Sequence, residues 1–167
     1  RPYSAFHGLF FYTESFRLTR FRRSSGTEDK ARRRCSVNVF PRAELIAYRV
    51  RQAEDTLEQA ELLHGHEHYS GAVNRAYYAM FYAIQAVITK HAANVSKHAG
   101  AIAFFDQYIV KEGKIDKEFS RWLHWLFDLR QDADYGTSFC PTAAHSQEAI
   151  EHASKLVEEI KTKIPGL

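Results

Sequence analysis

Apolar residues recur every three or four positions in the stretch that follows Pro41, and this is the spacing of an amphipathic α-helix. The stretch ends at Gly65. Proline is favoured at the entrance of a helix and glycine at its end, so both residues agree with the period. The pattern predicts a first helix whose inward stripe is Ile46, Val50, Ala53, Leu57, Ala60 and Leu63.

The same spacing predicts four more helices. They cover residues 71–92, residues 97–113 after the hydroxyl of Ser96, residues 117–136 after the carboxylate of Asp116, and residues 143–164. No segment alternates apolar and polar residues as a half-buried strand would. Because the connections are short, neighbouring helices must run antiparallel. The sequence therefore predicts an all-α fold: an up-and-down antiparallel bundle of four long helices and one shorter helix.

The second predicted helix is apolar around more of its circumference than one neighbour can cover. Its main stripe passes through Tyr77, whereas Tyr78, Phe81 and Tyr82 lie outside that stripe. A soluble monomer seldom leaves a large contiguous apolar patch in water. This excess of aromatic surface predicts a homodimer that forms through the second helix.

The first 40 residues, here called the leader, lack this periodicity. Residues 1–42 contain ten Lys and Arg against three Asp and Glu, whereas residues 43–167 contain 13 against 17, so the net charge of +3 originates in the leader. We predict a basic, disordered leader over residues 1–40 and one helical domain over residues 41–167. A nucleic-acid-binding arm, a transit-like segment and a non-native upstream extension are three explanations of the leader.

The cysteines and the apolar runs of the sequence indicate the cellular compartment. The two cysteines, Cys35 and Cys140, have no partner at metal-ligand or redox spacing, which is typical of a reducing compartment. The apolar run GLFFY at residues 8–12 is far shorter than the ~20 residues that a membrane span requires. We therefore expect a cytoplasmic protein that does not enter a membrane.

Four segments resemble the HEPN domain family, in its branch of small stand-alone prokaryotic proteins. They are RVRQAEDTLEQAELL, YSGAVNRAYYAMFYAIQAV, SKHAGAIAFFDQYIVKEGKID and LFDLRQDADYG, in the family's order and spacing over about residues 43–163. The resemblance implies a helical bundle that dimerises and is often encoded beside a minimal nucleotidyltransferase. It also implies that many members are toxins that cut RNA without a metal, so we expect no cofactor.

Active members of that family carry an arginine followed, after four to six residues, by a histidine near the end of a helix at the dimer cleft. Arg130 matches the arginine, but Tyr135 stands where the histidine would follow, and the next histidine is His145. Unperturbed imidazole exchanges a proton near neutral pH, whereas a phenol with a pKa near 10 does not. The motif is therefore incomplete, although Arg130 can still bind a phosphate through two parallel hydrogen bonds.

A structural role competes with the functional one at each of these positions. Arg130 is flanked by Asp128, Asp132 and Asp134, an arrangement typical of an ion-pair and capping cluster at a helix end. Arg75 lies beside the apolar stripe of the second helix, so we expect Asp128 or Asp132 to pair with it from a facing helix.

Histidines give two further candidates. His98 matches a histidine that is common in the resembling branch and lies near a predicted helix N-terminus, where an anion can bind, although capping or core packing explains it better than catalysis does. The alternating histidines of GHEHY, His64, His66 and His68, suggest a metal site by their number. Without a fixed fourth ligand they are better explained as a solvated loop, so we predict no metal site.

Two functions follow from these residues. The first is a binding module that associates with a nucleotidyltransferase-like partner or a toxin–antitoxin-like system. It would bind nucleotide or RNA phosphate through Arg130, Arg75 and His98 without efficient catalysis. The alternative is a metal-independent, toxin-like ribonuclease in which Arg130 acts with a non-standard base, His98 or His145, at a dimer cleft, and Tyr135 is the remaining catalytic candidate. The positions of these side chains relative to Arg130 decide between the two.

Overall fold

The computed structural model describes residues 41–93, 95, 97–135, 139–164 and 166, and of Tyr135 it describes the backbone alone. Its helices are α1 (Arg42–Gly65), α2 (Tyr69–Lys90), α3 (His98–Phe105), α4 (Lys117–Tyr135) and α5 (Ala143–Lys163). No strand occurs in these ranges. The predicted all-α fold is therefore confirmed, whereas the leader and the predicted cap Ser96 lie outside the described residues.

The second helix, α2, is the centre of the domain. It packs against α1, α3, α4 and α5, and half of its 22 residues are buried. A helix that contacts four neighbours needs apolar residues around most of its circumference. The wide apolar surface of α2 is thus covered largely by helices of the same protomer. Tyr78, Phe81 and Tyr82 are half-buried.

Two helices begin at the residues that the sequence predicted, and a third begins with a capping box. Pro41 directly precedes α1, and the side chain of Asp116 accepts a hydrogen bond of 2.8 Å from the backbone N–H of Glu118 at the start of α4. At α5, the hydroxyl of Thr142 accepts from the backbone N–H of His145, and the His145 ring accepts from the backbone N–H of Thr142. This reciprocal capping box fixes the first turn of α5.

The third predicted helix has the expected extent but not a uniform geometry. After α3 the chain continues as a π-helical segment, Asp106–Val110, before the turn at Gly113, whose φ is 74°. Asp106 accepts a hydrogen bond of 2.6 Å from the Ser120 hydroxyl and lies 2.9 Å from Nε2 of His124. These contacts join the π-helical segment to α4. Periodicity alone cannot reveal one extra residue in a helical turn.

One of the three alternating histidines is structural, which corrects the expectation of a solvated loop. His64 belongs to the last turn of α1, and its Nδ1 lies 2.6 Å from the hydroxyl of the fully buried Ser146. Because that hydroxyl donates to the carbonyl of Ala143, it accepts from His64, and the contact ties α1 to α5. His66 and His68 are exposed.

Two features are absent from the described residues. None of the helices combines the length and the apolar content needed to cross a membrane. No group of three or more His, Cys, Asp and Glu side chains in these ranges could hold a metal ion.

Candidate phosphate-binding site

Residues of α2 form one wall of the candidate site because they recur at helical spacing. Arg75, Tyr78 and Tyr82 are three and four positions apart and therefore lie along one side of the helix, with Tyr77 and Phe81 in the adjacent row. The rings of Tyr77 and Tyr78 meet edge to face at 5.5 Å. The result is a continuous aromatic wall.

Arg130 approaches this wall from α4. Its side chain is 14% exposed, and its guanidinium carbon lies 5.8 Å from the ring centroid of Tyr77 and 5.7 Å from that of Tyr78. Cations within about 6 Å of an aromatic face are attracted by the ring. Nε of Arg130 lies 2.7 Å from Oδ2 of Asp134, one turn along α4. The predicted ion pair is thus present for Asp134.

The expected partner of Arg75 was wrong. Asp128 and Asp132 are exposed, and neither forms an ion pair with Arg75. Arg75 instead donates a hydrogen bond of 2.7 Å to the side-chain oxygen of Asn74 and lies 5.0 Å from the Tyr78 ring centroid. The amide of Asn74 in turn donates to both carboxylate oxygens of Asp134, at 3.0 and 3.3 Å. Asn74 therefore links the two arginines through one carboxylate.

His98 is the first residue of α3, and the fold brings it to the same wall. Its Nδ1 lies 2.9 Å from the hydroxyl of Tyr77, and its ring stacks on Phe81 with centroids 4.3 Å apart and an interplanar angle of 26°. Tyr77 therefore contacts both His98 and Arg130. Three elements, α2, α3 and α4, converge on one cluster of Arg130, Tyr77, Tyr78 and His98.

The electrostatics of the cluster fix the state of His98. Burial raises the pKa of Tyr77, so its hydroxyl keeps its proton. Among the described residues His98 is the hydrogen-bond partner of that hydroxyl, which therefore donates to Nδ1. Burial, and then the charge of Arg130, lower the pKa of His98. The ring is neutral at pH 7 and carries its proton on Nε2.

Of the remaining sequence candidates, His145 does not join this cluster. The ring of His145 takes part in the capping box with Thr142 and lies 5.7 Å from the ring of Phe139. The side chain of Tyr135 lies outside the described part of the structure. Together with the neighbouring Arg75, the cluster can therefore supply two guanidinium groups and one neutral imidazole N–H, all of them donors suited to an anion.

Comparisons with known proteins show the family of the chain. The sequence profile of the HEPN domain matches residues 46–163. This chain belongs to the HEPN domain family. A UPF0332 protein of Thermotoga maritima is 38% identical to this HEPN chain over 123 residues, which cover 74% of the chain and 93% of the relative.

Two relatives of this HEPN protein carry names that mention a toxin. A protein of Methanocaldococcus jannaschii named "Putative toxin MJ0605" is 38% identical over 109 residues, 65% of this chain and 81% of the relative. A second protein of that organism, "Putative toxin MJ0142", is 35% identical over 86 residues, 52% of this chain and 58% of the relative. The family resemblance predicted from the sequence is confirmed.

Sequence reasoning missed two contributors to the candidate site. Tyr77 was assigned only to the apolar stripe, although a buried tyrosine hydroxyl requires a hydrogen-bond partner, and that requirement was the available signal. Arg49 of α1 was not singled out, yet its guanidinium carbon lies 5.9 Å from the ring centroid of Tyr82. Its contact depends on how α1 packs on α2, which helical spacing does not reveal.

Acid is expected to destabilise the domain through His98 and His152, whose pKa values are both lowered, with burial as the largest cause. The unfolded chain then binds protons more readily, so stability is full above the ordinary pKa of about 6.5 and decreases as the pH falls below it. The melting temperature should fall by a few degrees between pH 7.5 and 5.5. Calorimetry of His98→Asn and His152→Asn should show a smaller fall in melting temperature. If both variants lose as many degrees as the wild type, this account is wrong.

Proposed function

We propose that this HEPN protein binds phosphate groups of RNA or of a nucleotide at the Arg130 cluster, without efficient catalysis of its own. The observation that carries the proposal is that Arg130 and Arg75 both lie on the ring of Tyr78, at 5.7 and 5.0 Å. Two guanidinium groups on one ring concentrate positive charge that a phosphate can neutralise. The rings hold both groups in place before a ligand arrives.

The charges of Arg130, Arg75 and Asp134 leave a net positive charge at the cluster, which favours binding of an anion with modest affinity. Asp134 offsets Arg130, and within the described ranges no carboxylate forms an ion pair with Arg75. The Nε2–H of His98 adds a third donor, at the start of α3, where the helix dipole also favours an anion. Binding should therefore weaken steeply as the salt concentration rises.

The chemistry of the cluster argues against efficient cleavage of RNA. Cleavage through the 2′-hydroxyl needs one group to take a proton and another to return one. His98 is neutral and holds its Nδ1 against Tyr77, whose raised pKa makes it a poor proton donor. Tyr135 stands at the position where active members of the family carry a histidine.

We further propose a toxin–antitoxin-like setting in the cytoplasm, because two relatives carry toxin names and the family resemblance includes a neighbouring nucleotidyltransferase. The partner would be a nucleotidyltransferase-like protein. A homodimer formed through the aromatic residues of α2, as predicted from the sequence, would cover the face that carries the cluster. Light scattering at tens of micromolar protein measures that state directly.

One observation favours a second candidate, a metal-independent ribonuclease. Arg130 and His98 both contact Tyr77, so a phosphate held by Arg130 would lie near an imidazole of lowered pKa. A neutral imidazole is a competent general base at pH 7, and here Nδ1 would accept the proton after releasing the Tyr77 hydroxyl. In this candidate His98, rather than His145 or Tyr135, serves as the non-standard base.

Binding of a labelled hexauridine tests the proposed function. Fluorescence anisotropy at 50 mM salt should show binding by the wild type and a loss of at least about tenfold in Arg130→Gln, because a charge-assisted contact to phosphate contributes roughly 1.5–3 kcal/mol. Arg121→Gln is the matched control, since Arg121 lies on α4 with 71% of its side chain exposed. Equal affinities of Arg130→Gln and the wild type would refute the proposal.

A further inference from the structure

A row of alternating cations and rings extends beyond the Arg130 cluster. Arg130 and Arg75 lie on Tyr78, the Tyr78 and Tyr82 ring centroids are 6.0 Å apart, and Arg49 lies 5.9 Å from the Tyr82 centroid. We name this row the arginine–tyrosine ladder. It consists of Arg130, Arg75, Tyr78, Tyr82 and Arg49, and it runs from the C-terminal end of α4 across α2 to α1.

Arg49 gives the ladder a second cationic end. Its guanidinium carbon lies near two rings, 5.8 Å from the Tyr48 centroid and 5.9 Å from that of Tyr82. One of its N–H groups donates to the side chain of Gln52 at 2.8 Å. In the part of the chain that the structure describes, no carboxylate forms an ion pair with Arg49. The charge of Arg49 is therefore not offset within the described domain.

The dimensions of the ladder exceed those of one phosphate. Arg75 and Tyr82 are seven residues apart on α2, which corresponds to about 10 Å along the helix axis, and Arg49 lies beyond Tyr82. A single phosphate at Arg130 and Arg75 cannot also reach Arg49. A strand that carries a phosphate at every nucleotide can reach both ends and can stack its bases on the exposed parts of the rings.

We infer that the arginine–tyrosine ladder binds a single-stranded RNA segment, with one phosphate at Arg130 and Arg75, a later phosphate at Arg49, and a base on Tyr82. This inference rests on the proposed phosphate-binding function and extends it from one phosphate group to a strand. Arg49 and Tyr82 thereby become strand-binding residues.

The charges of the ladder favour RNA over a second copy of the chain. In a two-fold dimer formed through this face, the same patch of both protomers would meet, and the arginines would approach one another. Asp134 offsets Arg130, but among described residues neither Arg49 nor Arg75 has an ion-pair partner that could offset such a contact. A polyanion removes that repulsion, whereas a second copy creates it.

Two RNA lengths separate the two levels of this proposal. The probes are labelled uridine oligonucleotides of two and six nucleotides, titrated by anisotropy against the full chain. Arg49→Gln should lower the affinity for the hexamer about threefold to tenfold and leave the affinity for the dinucleotide unchanged. Because each contacted phosphate contributes about 0.7 to the salt dependence of a single strand, the slope for the hexamer should decrease by roughly 0.7.

Matched variants complete the experiment. Arg51→Gln changes an exposed arginine of α1, and it should leave both affinities at the wild-type value. Tyr82→Leu, checked for an intact helical spectrum, should weaken hexamer binding by at least about fivefold through lost stacking.

Each outcome has a distinct meaning. If Arg130→Gln weakens both probes but Arg49→Gln and Tyr82→Leu weaken neither, the ladder is refuted and the proposed function stands. If Arg130→Gln also has no effect on either probe, the proposed function itself is refuted. If light scattering shows a dimer that Tyr82→Leu converts to monomer while RNA affinity is unchanged, a second copy covers the ladder and the inference is wrong.

Discussion

Replacing Tyr77 by alanine is expected to lower the free energy of unfolding by about 3–5 kcal/mol, the cost of removing a large buried aromatic side chain. Tyr77 is completely buried at the centre of α2, and its ring contacts Phe81, Phe127 and His98 while Arg130 lies above it. Alanine would leave a cavity and remove the surface that supports Arg130. Urea denaturation should show a lower midpoint with little change in slope.

Two other tyrosine substitutions separate packing from hydrogen bonding. Tyr77→Phe keeps the ring and removes the hydroxyl that donates to His98, so it should cost about 1 kcal/mol. Tyr48→Ala is the matched control, because Tyr48 is 50% exposed on α1 and its loss should cost within about 0.5 kcal/mol. If Tyr77→Ala costs no more than Tyr48→Ala, then the ring of Tyr77 does not support the core.

The extent of each helix could be predicted because the signals are local. Pro41, Asp116 and Gly113 mark helix ends through their own backbone and capping chemistry, and each lies where the sequence indicated. The π-helical segment was not predictable, because one extra residue in a turn does not disturb the apolar spacing enough to be seen. How much of the apolar surface of α2 is covered within one protomer could not be predicted either, because spacing does not reveal how many neighbours a helix has.

The candidate site was predictable in part of its membership but not in its contacts. Arg130 and His98 were identified from a family resemblance, and the structure brings both to Tyr77. They are 32 positions apart in sequence, so their proximity depends on the packing of α2, α3 and α4. For the same reason Arg75 was assigned the wrong partner: opposite charge suggested an aspartate of α4, whereas the adjacent Asn74 makes the contact.

A ribonuclease assay is expected to detect no cleavage by the wild type and to detect cleavage after Tyr135→His. This substitution restores the family's spacing of an arginine and a histidine within one helix end, where the imidazole can exchange a proton near neutral pH. Positioned acid–base groups typically contribute 10²–10⁴-fold, so the gain in rate should be at least about a hundredfold. The cleavage rate is measured at pH 7 as the loss of labelled RNA, which gel electrophoresis follows.

The controls of this assay distinguish the two candidate functions. Adding Arg130→Gln to Tyr135→His should abolish the gained cleavage, because a guanidinium that stabilises the phosphorane acts mainly in the transition state. Tyr135→Phe should remain inactive, since it changes the same position without supplying imidazole. Cleavage by the wild type that disappears in both His98→Asn and Arg130→Gln would establish the ribonuclease instead. In that case acid should lower the rate only at a pH below that at which unperturbed imidazole becomes protonated, because burial and the charge of Arg130 lower the pKa of His98.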